Sequence, residues 1–323
     1  MITAEDFIHL QCTPEDVRAG IAYALRSLRH TYNRMHSRPI RRLQRIAAGL
    51  AVESAFQRYL QSQHIPFDLL GATHFTRPDR YDLALGGRRC DIKSFLLRDR
   101  EQIRAVRREP ASLLNAPALI PQDQFRRSPL RPEDVYIFAF LAALTAEEQT
   151  TWKKALDRGQ PLYLVWLFAR GWPHASRLAL KQGGTRPLRV TLSGEGKQGF
   201  TQKSITLQPG RVHTLKLPFK TLHFIHPKRP PDGPLGVHNP QTKETRVIQP
   251  TAWRNIWVYG MEIYLTGVIS RREFKSNARL ILAGSKVFQY RHTSTHNLAV
   301  SIRSLHPLRP FLERVLAART GSK

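Results

Sequence analysis

The sequence predicts an α/β protein in which a mixed sheet flanked by helices is followed by a second, β-rich domain. Three observations carry this. Helical stretches and short apolar runs alternate through the first half, the pattern of an α/β domain. A Gly86-Gly87 pair separates two of those runs, a strong signal for a two-residue hairpin. Around Gly183-Gly184 the character changes to short alternating runs punctuated by Gly and Pro. A chain of 323 residues holds about two domains of roughly 150 residues each. The expected division is residues 1–180 for the α/β core with its N-terminal helices and 181–323 for the β-rich domain.

The elements are expected as follows. Thr13-Pro14-Glu15-Asp16 reads as a capping box with Pro14 at the first helical position, opening a helix to about His30. Ser37-Arg38-Pro39 opens a second, longer helix from Pro39 to Ser62, which His64-Ile65-Pro66 ends. Strand-like runs follow at Phe67–Leu70, Tyr81–Leu85 and Arg88–Phe95, then an Arg- and Glu-rich helix over 97–109. Residues 110–133 hold five prolines and read as an irregular connection. Asp134–Phe140 and Leu162–Phe168 are further strands, with a helix capped at Thr145-Ala146-Glu147-Glu148 between them. The second half offers strands at Arg189–Leu192, Ser204–Leu207, His213–Leu217, Trp257–Thr266 and Leu280–Leu282. It also offers a proline-rich loop over 227–240 and a terminal helix from Pro310 to Ala318.

Charge narrows the partner class. The chain has 51 Lys and Arg against 24 Asp and Glu, a formal charge of +27. A surface of this kind attracts polyanions, nucleic acid first among them. Residues 171–323 hold 25 of the basic residues and 6 of the acids, a net of +19, and residues 1–170 a net of +8. The second half is thus the main polyanion-binding surface, while the first keeps the acids that metal chemistry needs. No apolar run is long enough to span a bilayer, so a membrane is not expected as a partner. The N-terminus, with Glu5 and Asp6, lacks the basic start of a signal peptide, and the only cysteines are Cys12 and Cys90. Two cysteines make neither a disulfide framework nor a four-cysteine zinc site, and the expected compartment is a reducing cytoplasm.

The stretch from Arg77 to Lys93 carries the chemistry. A hairpin closed at Gly86-Gly87 pairs Leu85 with Arg88 and brings Asp82 level with Asp91. Residues two apart on a strand share a face, so Asp91 and Lys93 project together. Two carboxylates that close repel and call for a cation between them. Mg²⁺, or Mn²⁺ in its place, takes one or two carboxylates and keeps water on its other positions. Such an ion polarises a phosphodiester and acidifies a bound water.

These residues resemble the PD-(D/E)XK nuclease superfamily, with Asp82 matching the first acid and Asp91-Ile92-Lys93 the (D/E)XK half. The resemblance covers roughly residues 39–170. It implies a restriction-endonuclease-like fold and a metal-dependent nuclease, an endonuclease of the restriction, defence or mobile-element kind. The literal Pro-Asp pair is Pro78-Asp79, so Asp79 is the alternative first acid; hairpin geometry favours Asp82. The family tends to carry a glutamate on a helix before the hairpin, and Glu53 matches it. Glu53 is the only acid between Asp16 and Asp68 and lies in an otherwise apolar stretch, where a lone carboxylate is costly without a cation. The resemblance implies Glu53, Asp82 and Asp91 as metal ligands, with the Ile92 carbonyl as a further one and Lys93 positioning the attacking water.

Candidate phosphate contacts are Arg98, Arg100, Arg104, Arg107 and Arg108 after the catalytic strand, and Arg271, Arg272 and Lys275 later in the chain. Together such groups give salt-dependent binding. DNA is the expected partner and RNA the alternative, since both present phosphates; a homodimer or a partner protein would fit double-strand cutting. A non-cleaving nucleic-acid-binding subunit is the rival from another class. Gly194-Glu195-Gly196-Lys197-Gln198-Gly199 matches a dinucleotide fingerprint on paper, but a strand rather than a helix follows, so it reads as a turn. Trp253, Trp257, Tyr259 and Tyr264 could stack bases, with core packing the better expectation.

Overall fold

The computed structural model describes residues 2–31, 38–71, 81–197 and 199–320. The chain divides into two compact units: Met1–Arg38, Arg42–Leu144 and Val258–Lys323 in the first, Pro39–Arg41 and Thr145–Trp257 in the second. The expected boundary after residue 180 is therefore corrected. The β-rich unit is an insertion that begins after Leu144, and the chain returns to the first unit at Val258. The return depends on a strand pairing far apart in sequence, which no local pattern reports.

The first unit opens with strand β1 (Ile8–Gln11) and helix α1 (Pro14–Ser27). The Thr13 capping box is formed: the Asp16 N–H donates to Thr13 Oγ1 at 3.3 Å and the Thr13 N–H to Asp16 Oδ2 at 2.8 Å. Helix α2 (Pro39–Ser62) starts at Pro39 as expected, although Ser37 lies outside the described residues. Strands β2 (Leu83–Leu85) and β3 (Arg88–Leu97) form the expected hairpin, with Leu85 opposite Arg88. Gly86 and Gly87 both take positive φ, 54° and 76°, as a tight hairpin turn of the favoured twist requires. Helix α3 (Arg100–Arg108) follows.

The connection expected to be irregular instead contains strand β4 (Pro117–Pro121) and helix α4 (Gln122–Arg127), before strand β5 (Val135–Thr145). Phe67–Leu70 is not a strand: Asp68 makes one isolated bridge to Ala84, and while Phe67 is half-buried, Leu69 and Leu70 are exposed, Leu70 at 82%.

In the second unit come α5 (Gln149–Asp157), β6 (Leu164–Trp172), β7 (Arg177–Gln182), β8 (Leu188–Gly196), β9 (Gly199–Leu207), β10 (Val212–Lys216), β11 (Thr221–Pro227), β12 (Leu235–Asn239), β13 (Glu244–Ile248) and β14 (Arg254–Asn255). Helix α5 starts later than its expected cap at Thr145 because that residue ends β5. The stretch expected as a loop over 227–240 contains β12. The unit is built from two sheets, β10-β7-β12-β13 and β14-β6-β11-β8-β9. Gly196 and Gly199 face each other where β8 turns into β9, so the glycine-rich motif is a hairpin turn. The first unit then resumes with β15 (Val258–Ser270), α6 (Arg271–Asn277), β16 (Arg279–Ile281), β17 (Asn297–Ser301) and α7 (Leu308–Thr320).

The sheet that organises the first unit runs β1-β15-β5-β3-β2. Strand β3 is antiparallel to β2 and parallel to β5, with Asp91 in register with Tyr136 and Phe95 with Phe140. One face of this sheet carries an aromatic core. Phe95 lies 6.2 Å from Phe138 and 5.1 Å from Phe140 by ring centroids, and Phe274 lies 5.6 Å from Tyr136 and 5.7 Å from Phe125. Ile103 and Val106 of α3 join the same cluster. Among the described residues no helix is long and apolar enough to cross a membrane.

Helix α1 crosses α2 so closely that a β-carbon on Gly20 would stand 2.2 Å from the Ala47 carbonyl oxygen, whereas one on Gly87 would meet nothing within 4 Å. Gly20→Ala therefore forces two backbones apart and is expected to cost about 3 kcal/mol, the upper end for overpacking. Gly87→Ala should cost only the left-handed backbone strain, about 1 kcal/mol. Urea unfolding of the two variants checks the order; equal losses would contradict this packing.

Candidate active site

The β2–β3 hairpin carries Asp82 just before its first strand and Asp91 on its second. The Asp82 N–H donates to the Cys90 carbonyl at 3.0 Å, extending the ladder by one residue beyond Leu83 opposite Cys90. The Asp82 carboxylate then accepts from the Ile92 N–H at 2.6 Å. Backbone groups alternate between the two edges of a strand. The Ile92 carbonyl thus points to the same edge as the Ile92 N–H, towards the Asp82 side. On β3, Asp91 and Lys93 share a face, and Lys93 Nζ lies 2.6 Å from Asp91 Oδ2. Their side chains are only 17% and 21% exposed for Lys93 and Asp91.

Burial alone would push the Lys93 ammonium's pKa down, but the Asp91 carboxylate, with Asp82 behind it, overrides this and holds it above its ordinary value. The neighbouring Cys90 thiol is pushed far up, by burial first and then by Asp82, Asp134 and Asp91.

Alternation along β3 explains why the site sits here. Asp91, Lys93, Phe95 and Leu97 lie on one face, and the last two belong to the aromatic core. The charged pair is thus the rim of that core, where the hairpin leaves it. Tyr136, in register with Asp91 on β5, was not singled out by the sequence, yet it is fully buried, and burial first, with the Asp91 carboxylate, pushes its hydroxyl up while Arg271 and Lys93 oppose this. Its hydroxyl accepts from Arg271 Nη1 at 2.7 Å. The only signal for it in the sequence is that it is the one hydroxyl in the run Val135–Phe140.

Glu53 lies on α2 and is half-buried. Gly49, one turn earlier, has its β-carbon position 3.9 Å from Ser94 Oγ. Ser94 belongs to the opposite face of β3 from Asp91 and Lys93. Glu53 is thus carried by a helix that approaches the other side of the strand, while Asp82 spans the strand edge between the two. Asp79 lies outside the described residues. Among the described residues no group of three or more His, Cys, Asp or Glu side chains is gathered closely enough to hold a metal ion. The site offers two carboxylates and the Ile92 carbonyl direction; one or two carboxylates, completed by water and substrate phosphate, are the usual Mg²⁺ set. The donor chemistry fits.

The basic residues divide into two groups. Arg100, Arg104 and Arg108 of α3 are exposed, as are Arg272 and Lys275 of α6. Others have intramolecular work. Arg107 pairs with Glu262 at 2.8 Å, and Arg271 also donates to the Phe125 carbonyl at 2.8 Å with its guanidinium 4.3 Å from the Phe125 ring. Arg98 is half-buried, and with Arg45 it offsets the burial that raises the Tyr290 hydroxyl to about 12. Trp253, Trp257 and Tyr264 are buried, in keeping with core packing.

Compared with known protein families, curated proteins and solved structures, the chain gives no significant match.

Three variants test the packing of the site. Asp91→Ala leaves the Lys93 ammonium inside without its nearest carboxylate and is expected to cost about 2–4 kcal/mol; adding Lys93→Met should recover most of that loss. Denaturant unfolding of the single and double variants checks this, and additive losses would contradict the pairing. Arg271→Gln removes the fork that ties Tyr136 to Phe125 and should lower stability by about 1–3 kcal/mol; an unchanged melting temperature would show that this arginine is not structural.

Proposed function

We propose that this chain is a metal-dependent nuclease of the PD-(D/E)XK, restriction-endonuclease-like kind that hydrolyses phosphodiester bonds in DNA. The observation that carries this reading is the convergence of Asp82, Asp91 and Lys93 at the open end of one hairpin. The Asp82 carboxylate is fixed on the Ile92 N–H at 2.6 Å, and Lys93 is fixed on Asp91 at 2.6 Å. A purely structural ion pair would not need a second carboxylate anchored beside it.

Asp82 and Asp91 would hold Mg²⁺ or Mn²⁺, with the Ile92 carbonyl and Glu53 as the further ligands to be tested. When bound, the ion supplies Lewis-acid polarisation of the phosphoryl group and lowers the pKa of water. Lys93 is placed beside Asp91 to orient the attacking water and to neutralise the charge that builds on the phosphoryl oxygens. Asp91 accepts a hydrogen bond from Lys93 and so keeps the ammonium on the reacting face. The exposed arginines of α3, directly after the catalytic strand, would track the phosphate backbone. The formal charge of +27 supports a polyanionic substrate.

The rival reading is a nucleic-acid-binding subunit that does not cut. The absence of a three-ligand cluster among the described residues favours it, as does the direct pairing of Asp91 with Lys93.

Incubation of plasmid DNA and single-stranded RNA with Mg²⁺, Mn²⁺ or EDTA decides between the two. The nuclease reading expects metal-dependent DNA cutting that Asp91→Asn and Lys93→Ala each reduce at least about a hundredfold. Cutting by either variant at the wild-type rate would refute the site. Salt-sensitive binding without cutting would favour the subunit.

A further inference from the structure

The inserted unit carries a second surface that the proposed chemistry does not use. Within Thr145–Trp257 there are 18 Lys and Arg against 6 Asp and Glu, a net of +12. The sheet β10-β7-β12-β13 buries one face, with Leu178, Leu180, Leu215, Leu235, Val237 and Ile248 in the core. Strand alternation turns the intervening residues outward. On that outer face Arg177, Lys181 and Lys216 are all exposed. Between and beside them stand small, polar or aliphatic side chains: Thr214 opposite Ala179, Ala179 opposite His238, Gly236 opposite Lys181 and Val247, and Val212 opposite Lys181. No Asp, Glu, Phe, Tyr or Trp occupies the outward positions of the four strands.

Two features point to a ligand. Lys216 and Arg177 are direct cross-strand partners. Like charges in that position destabilise a sheet, and an anion laid over both would offset the repulsion. Among the described residues none of the three cations is in an ion pair. The face therefore presents uncompensated charge around a centre of short side chains at Ala179, Thr214 and Gly236.

The geometry points to this sheet face as a docking surface for the phosphate backbone of a DNA duplex. This deepens the proposed function and rests on that reading for naming DNA as the polyanion. Arg177 and Lys181 are four residues apart on β7, about 14 Å along the strand. That spacing is close to the major-groove width of about 12 Å, so cations at the two ends can meet phosphates on opposite strands. The small central residues let the backbone approach. A single strand would instead call for aromatic platforms on which bases stack, and the face has none.

The test is binding, measured in EDTA by fluorescence anisotropy with a 30-base-pair duplex and the matching single strand, across a salt series. The variant Arg177→Gln/Lys181→Gln/Lys216→Gln is compared with a control of equal charge loss elsewhere in the unit, Lys153→Gln/Lys154→Gln/Lys203→Gln. Circular dichroism establishes that each remains folded. The expected result is at least about a tenfold loss of duplex affinity in the first variant. The slope of log affinity against log salt should fall by about 2 to 3, with a much smaller change in the control. Ala179→Glu, one added charge at the centre of the face, should weaken binding in the same direction. Equal losses in the two triple variants, tighter binding of the single strand, or no duplex binding by the wild type would each overturn the inference. Because no metal is present, these results are independent of whether the chain cuts.

Discussion

The parallel pairing of β3 with β5 is the constraint on which the first unit depends. Its register, with Asp91 beside Tyr136 and Lys93 beside Phe138, decides which side chains enter the aromatic core and which stand at its rim. Strand side chains alternate with a period of two, so a slip of one residue would take Phe95 and Leu97 out of the aromatic core and turn Asp91 and Lys93 to the face that carries the buried Cys90 and Ile92. The hydrophobic cost of that slip is what holds the charged pair in place. The hairpin adds the second acid: two glycines that tolerate positive φ close it tightly enough for Asp82 to reach the Ile92 N–H.

The rim position also explains the electrostatics. Asp91 and Lys93 are mostly withdrawn from water, where each would be costly alone and where each stabilises the other. Arg271 and Tyr136 extend the same economy into the core. A cation from α6 donates to the phenol that stands in register with Asp91, and the same guanidinium closes on the Phe125 carbonyl and ring. A residue that looks in the sequence like one of many surface arginines is therefore a strut behind the candidate site. The proposed division of labour follows: exposed arginines on α3 for the backbone of the substrate, internal ones for the geometry of the acids.

Much of this was legible in the sequence because it is local. The Thr13 cap, the Pro39 start of α2, the Gly86-Gly87 turn and the Asp82–Asp91–Lys93 arrangement all depend on residues within about a dozen positions of one another. What was not legible is long-range. Strand β4 forms by pairing with β17, nearly two hundred residues away, so its proline-rich stretch reads as a loop. Strand β15 resembles another strand of the β-rich half until its place between β1 and β5 returns it to the first unit, which moves both domain boundaries. The Phe67–Leu70 run has strand composition but makes only the isolated Asp68–Ala84 bridge, with Leu69 and Leu70 exposed. The relation of Glu53 to the hairpin acids was legible only as a motif, because the side of β3 that α2 approaches is set by tertiary packing.

The measurement that bears most directly on the proposed chemistry is the anomalous scattering of Mn²⁺ in crystals of the protein grown with and without the ion. The account predicts a peak at the Asp82 and Asp91 carboxylates, the residues that would hold the ion. Asp91 would then be drawn from Lys93. A peak elsewhere, or none with the Lys93–Asp91 pair undisturbed, would contradict the reading of this hairpin as a metal-dependent site.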